Sequence, residues 1–108
     1  MRPVLHGDIM VAARALLGVR DIEREAFFAR LLRRASAAVA YRKRFRRAHP
    51  QWGNGTLAAV AMPYVRGPEP FADTPDYCRC LSIIFCNLHA WRMEKQGLNR
   101  PTRHKTSS

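Results

Sequence analysis

The sequence predicts an all-α protein: a small four-helix domain, orthogonal or bundle-like, with a disordered basic C-terminal tail. Two observations support this fold class. The long segments with a regular hydrophobic pattern repeat at helical spacing, and no alternation of apolar and polar residues indicates a strand. The chain has 108 residues, of which 47% are hydrophobic, which is enough for one domain with one core. We predict a single helical domain over residues 1–97 and a flexible basic tail over residues 98–108.

The first two helices are predicted from their caps and their apolar spacing. Asp8 can cap a first helix over residues 9–19. Asp21 can cap a long second helix that reaches about residue 48, and Pro50 stops it. An apolar stripe along this second helix predicts that one face packs on the core. The stripe consists of Phe27, Phe28, Leu31, Leu32, Ala35, Ala38 and Val39.

The last two helices differ in length and in apolar character. Thr56 can cap a short third helix over residues 57–62. The fourth helix is predicted over residues 75–96, because Pro75 suits a first helical turn and Gly97 suits the end of a helix. Since this helix is apolar on most of its faces, we expect it to be the most buried of the four. Its expected core residues are Leu81, Ile84, Phe85 and Leu88.

The distribution of charge is the strongest functional indication in the sequence. Nineteen Lys and Arg oppose eight Asp and Glu, which gives a net charge of +11, and residues 26–68 contain no acid. A surface with such an excess of positive charge attracts polyanions such as nucleic acid, an anionic membrane or an acidic protein. After Tyr41 the cations of the second helix point all round its axis, so this end cannot be buried. The predicted partner-binding residues are Arg30, Arg33, Arg34, Arg42, Lys43, Arg44, Arg46, Arg47, Arg66 and Trp52.

Aromatic residues beside these cations leave two interpretations open. Tyr41 and Phe45 either anchor the helix or stack on a partner, and Trp52 either plugs the edge of the core or stacks on a nucleobase. A basic amphipathic helix is also typical of membrane-surface and calmodulin-target segments. The Ala-rich stripe of the second helix favours packing within the chain instead.

No catalytic residue, metal site or cofactor is predicted. On the fourth helix, Cys78 and His89 would lie roughly 16 Å apart along the axis, and the paired cysteine spacing of zinc sites is absent. Cys86 and His89 form a possible nucleophilic pair, but no third group that would orient it is evident. The chain also lacks a glycine-rich phosphate loop and paired carboxylates, so we expect no enzyme.

The cellular setting follows from the cysteines and the hydropathy pattern. Three cysteines are an odd number, which disfavours a disulfide framework and favours reduced thiols in the cytoplasm. No apolar run approaches the ~20 residues of a transmembrane helix. No secretory signal peptide is expected at the N-terminus either.

Three segments carry a resemblance to a known family. They are MRPVLHGD at residues 1–8, RAHPQWGNGTL at residues 47–57, and EPF followed by PDYC within residues 69–78. They resemble a family of short, uncharacterised proteins from Rhodobacter-like alphaproteobacteria. The resemblance covers most of the chain apart from the tail. It implies an intracellular bacterial protein and supplies neither an activity nor catalytic residues.

Two classes of function fit these observations. The leading hypothesis is a non-enzymatic regulatory protein that binds nucleic acid, or the transcription machinery beside it, through the basic end of the second helix. The alternative is an adaptor or inhibitor that docks on an acidic protein surface. No helix-turn-helix can be assigned, because the loop between the second and third helices is long. The sequence carries no indication of the oligomeric state.

Overall fold

The computed structural model describes residues 2–99, with side chains as far as residue 94, and contains four α-helices and no β-strand in that part of the chain. Two 3₁₀ turns, Asp21–Glu23 and Met62–Tyr64, precede the second helix and follow the third. The predicted all-α class and the number of helices are therefore confirmed. The helices are α1 (His6–Leu17), α2 (Arg24–Phe45), α3 (Leu57–Ala61) and α4 (Pro75–Asn99).

The ends of α1 and α2 differ from their predicted positions. α1 begins at His6, so Asp8 lies in its first turn rather than at its cap. α2 ends at Phe45, short of residue 48, because Arg46 adopts a left-handed conformation with φ of 60°. The Arg46 amide donates to the carbonyl of Arg42 at 2.7 Å, which closes the helix and turns the chain back.

α4 extends past its predicted end at residue 96. Gly97 lies inside α4, which continues to Asn99. A glycine favours the end of a helix because it can adopt a left-handed conformation there, and an interior glycine costs about 1 kcal/mol relative to alanine. Of the predicted tail, residues 98 and 99 therefore belong to α4, and residues 100–108 lie outside the described residues.

The core forms where α1 packs against both α3 and α4, and α2 completes it through contacts with the same two helices. The apolar stripe predicted for α2 is buried as far as Ala38, whereas Val39 is only partly buried. This arrangement leaves the C-terminal turns of α2 beyond the core. The largest fully buried side chains are Tyr77, Phe28, Leu16, Leu31, Leu57, Ile84 and Cys80.

α4 buries one face rather than its whole circumference, so the prediction that it is the most buried helix was wrong. Ile84 is fully buried, but Leu81 and Leu88 are only partly buried, and Phe85 is 55% exposed. The physical reason is geometric, because α4 has 25 residues and its most extensive contact is with the 12-residue α1 along one side. Among the described residues, none of the four helices combines the length and the hydropathy that a membrane-spanning segment requires.

A buried carboxylate connects α1 to α3. Asp8 is 7% exposed, and its two carboxylate oxygens accept hydrogen bonds from the amide of Leu5 at 2.9 Å and from the amide of Ala58 at 3.1 Å. Both amides lie at the start of a helix, where the backbone has no intrahelical acceptor. Thr56 caps α3 as predicted, since its hydroxyl accepts from the amide of Ala59 at 3.1 Å.

A buried guanidinium holds α1, α2 and α4 together. Arg24 is 4% exposed, and its Nε donates to the carbonyls of Leu16 and Val19, at 3.0 and 2.9 Å, at the end of α1. Its two terminal nitrogens donate to the carboxylate of Asp76 in the first turn of α4, at 2.9 and 3.0 Å. Such bidentate pairs are strong and geometrically specific. The hydrogen bond from Arg24 lowers the pKa of Asp76.

We expect Asp8→Ala to lower the free energy of unfolding by about 2–4 kcal/mol, because it leaves two helix-terminal amides without their charged acceptor. Urea denaturation followed by circular dichroism measures this change. Asp73→Ala is the matched control, since Asp73 is exposed and makes no hydrogen bond or ion pair within the described part of the chain. Equal losses in the two variants would contradict the role assigned to Asp8.

We expect acid to destabilise the protein through Asp76. Its folded pKa is lowered, so the unfolded chain takes up this proton more readily than the folded one. The stabilisation is complete above the unfolded pKa of about 3.9 and is lost as the pH falls through the lower folded value. Thermal midpoints measured between about pH 6 and pH 2.5 should fall less steeply in Asp76→Asn than in the wild type. Asp73→Asn should match the wild type, and an unchanged slope in Asp76→Asn would refute this account.

Candidate functional site

The described salt bridges do not involve the predicted basic surface. Across the described residues, every salt bridge joins Arg20, Arg24 or Arg79 to a carboxylate at the N-terminal end of α2 or of α4. The hydrogen bond from Arg79 lowers the pKa of Asp21, so this carboxylate stays ionised. Its negative charge is balanced locally by Arg79. None of the ten predicted site residues takes part in these ion pairs. The nine cations among them therefore have no carboxylate partner in the described salt bridges.

The C-terminal end of α2 extends into solvent, as predicted. Residues 42–48 are all exposed, whereas Tyr41 is partly buried. Because α2 stops at Phe45, Arg46 and Arg47 lie in the following turn and not on the helix. The left-handed Arg46 directs the chain back along α2 instead of away from it.

A first cleft, which we call the distal cleft, gathers four cations at this end of the molecule. It has a volume of about 500 Å³. Arg2 reaches it from the N-terminal segment, where its Nε donates to the carbonyl of Asn54 at 2.9 Å and its amide donates to the carbonyl of Gly55 at 3.4 Å. No carboxylate is among the residues lining this cleft, which are Arg2, Val39, Arg42, Lys43, Arg46 and Asn54.

A second cleft, the proximal cleft, lies on another face of α2 and combines arginines with an aromatic ring. It has a volume of about 310 Å³. Arg34 donates to the hydroxyl of Tyr64 at 2.7 Å, and the guanidinium of Arg30 lies over the ring of Phe27, 5.5 Å from its centroid. These contacts hold two of the three arginines in place. The lining residues are Arg30, Arg33, Arg34, Ala37 and Trp52.

The loop between α2 and α3 separates the two clefts by folding back over α2. His49 and Gly53 exchange two backbone hydrogen bonds of 3.0 Å, which close a tight turn around Trp52. Gly55 has a φ of 91° and passes so close to α2 that an added Cβ would lie 2.4 Å from Cγ2 of Val39. Any other residue there would force the loop away from α2.

Four aromatic rings run in contact from the end of α2 into this loop. The centroids of Phe45 and Tyr41 are 4.6 Å apart, and those of Tyr41 and His49 are 4.8 Å apart. His49 and Trp52 are stacked, with centroids 4.4 Å apart and planes within 6°. Trp52 is partly buried against the core and also lines the proximal cleft. Trp52 therefore closes one edge of the core and also forms part of the cleft wall.

The predicted site residues do not form one cluster. Arg30, Arg33, Arg34 and Trp52 meet in the proximal cleft, whereas Arg42, Lys43 and Arg46 meet in the distal cleft. Neither cleft is lined by the remaining three predicted cations. The guanidinium of Arg44 lies 5.6 Å from the centroid of Phe45, and Arg47 is exposed in the turn. Arg66 donates to the carbonyls of Pro63 and Val65 in its own loop.

Sequence reasoning missed Arg2, Asn54 and His49. Arg2 and Asn54 are 52 positions apart in the chain, and only the packing of α1 against α3 brings them together. No local pattern could have indicated this contact. His49 precedes Pro50, the residue predicted to stop the second helix. It also lies four residues after Phe45 and three before Trp52, and this spacing was the one available indication that the rings stack.

The fourth helix carries the remaining reactive side chains. Cys78, Cys86 and His89 are exposed, and only Cys80 is buried, where burial raises the pKa of its thiol. Two of the three cysteines are therefore accessible on the surface of α4. Among the described residues, no three His, Cys, Asp or Glu side chains are placed to share a metal ion.

Comparisons with known proteins identify a family and no function. No curated protein and no solved structure matches the chain. A family model described as a domain of unknown function, DUF7742, matches residues 2–88, which include α1, α2, α3 and the first half of α4. The matched segment contains both clefts and the whole turn between α2 and α3. Because the match covers most of the sequence, the chain belongs to the DUF7742 family, an uncharacterised family as its sequence predicted.

Proposed function

We propose that the protein is a non-enzymatic regulatory protein that binds nucleic acid, or the transcription machinery beside nucleic acid, through the Arg/Lys-rich end of α2. One observation carries the proposal. Two clefts beside α2 hold seven cations with no carboxylate among their lining residues, whereas the described ion pairs lie at the N-terminal ends of α2 and α4. Phosphate oxygens supply the negative charge that such a surface lacks.

The dimensions of the surface suit a nucleic-acid backbone. Arg30 and Arg42 are 12 positions apart on α2, which corresponds to about 18 Å along the helix axis. Phosphates on one strand of a duplex follow one another every ~3.4 Å, so this length matches about five of them. The C-terminal dipole of α2 is equivalent to roughly half a negative charge and is outweighed by the cations around it.

The setting proposed for this function is the bacterial cytoplasm. The thiols of Cys78 and Cys86 are exposed, and an environment that keeps such thiols reduced suits them. The sequence resemblance further suggests that the family occurs in Rhodobacter-like alphaproteobacteria. Arg44, Arg47 and Arg66, which line neither cleft, would add long-range attraction rather than defined phosphate contacts.

Salt dependence tests the proposal. For the wild type, the logarithm of affinity for duplex DNA or RNA should fall linearly with the logarithm of salt concentration, with a slope of about −0.9 per phosphate contact. Replacing Arg42, Lys43, Arg44, Arg46 and Arg47 by Gln should flatten that slope and leave the thermal midpoint nearly unchanged, because these side chains lie outside the core. Electrophoretic shifts at several salt concentrations measure the slope.

A pair of variants with equal net charge separates the site from net charge alone. Arg42→Gln/Arg46→Gln removes two cations of the distal cleft, and Arg20→Gln/Arg92→Gln removes two cations from elsewhere on the surface. The first pair should reduce the slope by up to about 2, and the second should change it little. Equal slopes would mean that net charge, and not the surface of α2, governs binding.

The absence of salt-dependent binding to DNA and RNA at low ionic strength would show that the nucleic-acid proposal is wrong. An adaptor or inhibitor of an acidic protein would then be the better explanation of the same charges. A pull-down that compares the wild type with the five-Gln variant would test that alternative.

A further inference from the structure

We propose that the nucleic acid bound by this protein is single-stranded, and that an unpaired base stacks on Trp52 in the proximal cleft. This inference rests on the proposed function and narrows it from nucleic acid in general to one form. It also assigns a binding role to an aromatic side chain, which the charge argument alone does not require.

Contacts with His49 position the indole of Trp52 within the protein. His49 stacks on it in a nearly parallel arrangement, and Nδ1 of His49 accepts hydrogen bonds of 3.0 Å from the amides of Gln51 and Trp52. Tyr41 contacts the imidazole edge-on, which fixes the ring from the side of α2. A preorganised ring loses little conformational freedom on binding, so more of the stacking energy appears as affinity.

Trp52 is surrounded by the groups that a nucleotide needs. Its exposed part lines a cleft with three arginines spaced i, i+3 and i+4 on α2, which places them on one face of the helix. Arg30 and Arg34 are held by aromatic neighbours, and Arg33 makes no hydrogen bond or ion pair within the described part of the chain. A base stacked on Trp52 would bring its phosphates within reach of these guanidinium groups.

A second aromatic surface lies at the C-terminal end of α2. Phe45 is 50% exposed at the end of α2, and it connects to Trp52 through the rings of Tyr41 and His49. The guanidinium of Arg44 lies over it. Aromatic surfaces interleaved with cations along a groove are typical of proteins that bind single strands without sequence preference.

Duplex nucleic acid fits this arrangement less well. In a duplex the faces of the bases are covered by their neighbours, so Trp52 could reach a base only if the base were flipped out, at a cost of a few kcal/mol. A single strand presents its base faces without that cost. The cations alone would not distinguish the two forms, since both carry phosphates.

Fluorescence of Trp52 provides a direct test. Trp91→Phe leaves Trp52 as the single tryptophan, and Trp52→Phe leaves Trp91 as the matched control. Oligo(dT) of about 12 nucleotides should quench Trp52 in a saturable manner, as a base stacked on the indole does. The same oligonucleotide paired with oligo(dA), at equal phosphate concentration, should quench it less. The Trp52→Phe protein should show no comparable quenching.

Affinity measurements provide a second test of base stacking on Trp52. Trp52→Ala should weaken binding of oligo(dT) roughly 5- to 150-fold, the range expected for the loss of one base stack. Its affinity for duplex should change less than about 2-fold, and its salt slope should match that of the wild type, because no cation is lost. Trp52→Leu retains apolar packing against the core and should lose nearly as much affinity for oligo(dT).

The outcomes separate this inference from the proposed function. Equal affinity for oligo(dT) and duplex, or binding without quenching of Trp52, would overturn the stacking inference and leave charge-driven binding of nucleic acid in place. Failure of the wild type to bind either form would overturn both. If Trp52→Ala does not fold, the affinity of Trp52→Leu and the fluorescence of Trp91→Phe still decide whether a base stacks on Trp52.

Discussion

The Arg24 guanidinium is the interaction on which the architecture most depends. It joins the end of α1, the start of α2 and the first turn of α4, and it is almost completely buried. A buried charge of this kind is tolerated only when its hydrogen-bonding capacity is filled and a counter-charge is present. Leu16, Val19 and Asp76 meet these requirements, so three helices must converge at this point.

This network also explains where the charge of the molecule resides. The chain has only eight acidic residues, and Asp21 and Asp76 are committed to the Arg24 and Arg79 ion pairs at one end of α2. Since residues 26–68 contribute no acid, nothing on the remainder of α2 neutralises its arginines. One face of α2 as far as Ala38 therefore builds the core, and its arginines present charge to solvent.

The return of the chain along α2 converts that charge into defined clefts. Arg46 ends the helix in a left-handed conformation, and Gly55 lets the loop lie directly against Val39. The loop places Trp52 beside the arginines of the proximal cleft and Asn54 beside those of the distal cleft. Without this close approach, the end of α2 would be an evenly charged rod, able to attract polyanions but not to position them.

The sequence by itself determined the fold class, the number of helices, the apolar stripe of α2 as far as Ala38, the cap of Thr56 and the exposure of residues 42–48. Each depends on local periodicity, capping chemistry or the cost of burying charge, which act within a few residues. Only the tertiary structure decided that Phe85 is exposed, that Asp8 bridges two helices, and that Arg2 joins the distal cleft. These features depend on which elements pack together, because a partner helix covers one face of α4 and contacts such as Arg2 with Asn54 join distant positions in the chain. No local pattern contains that information.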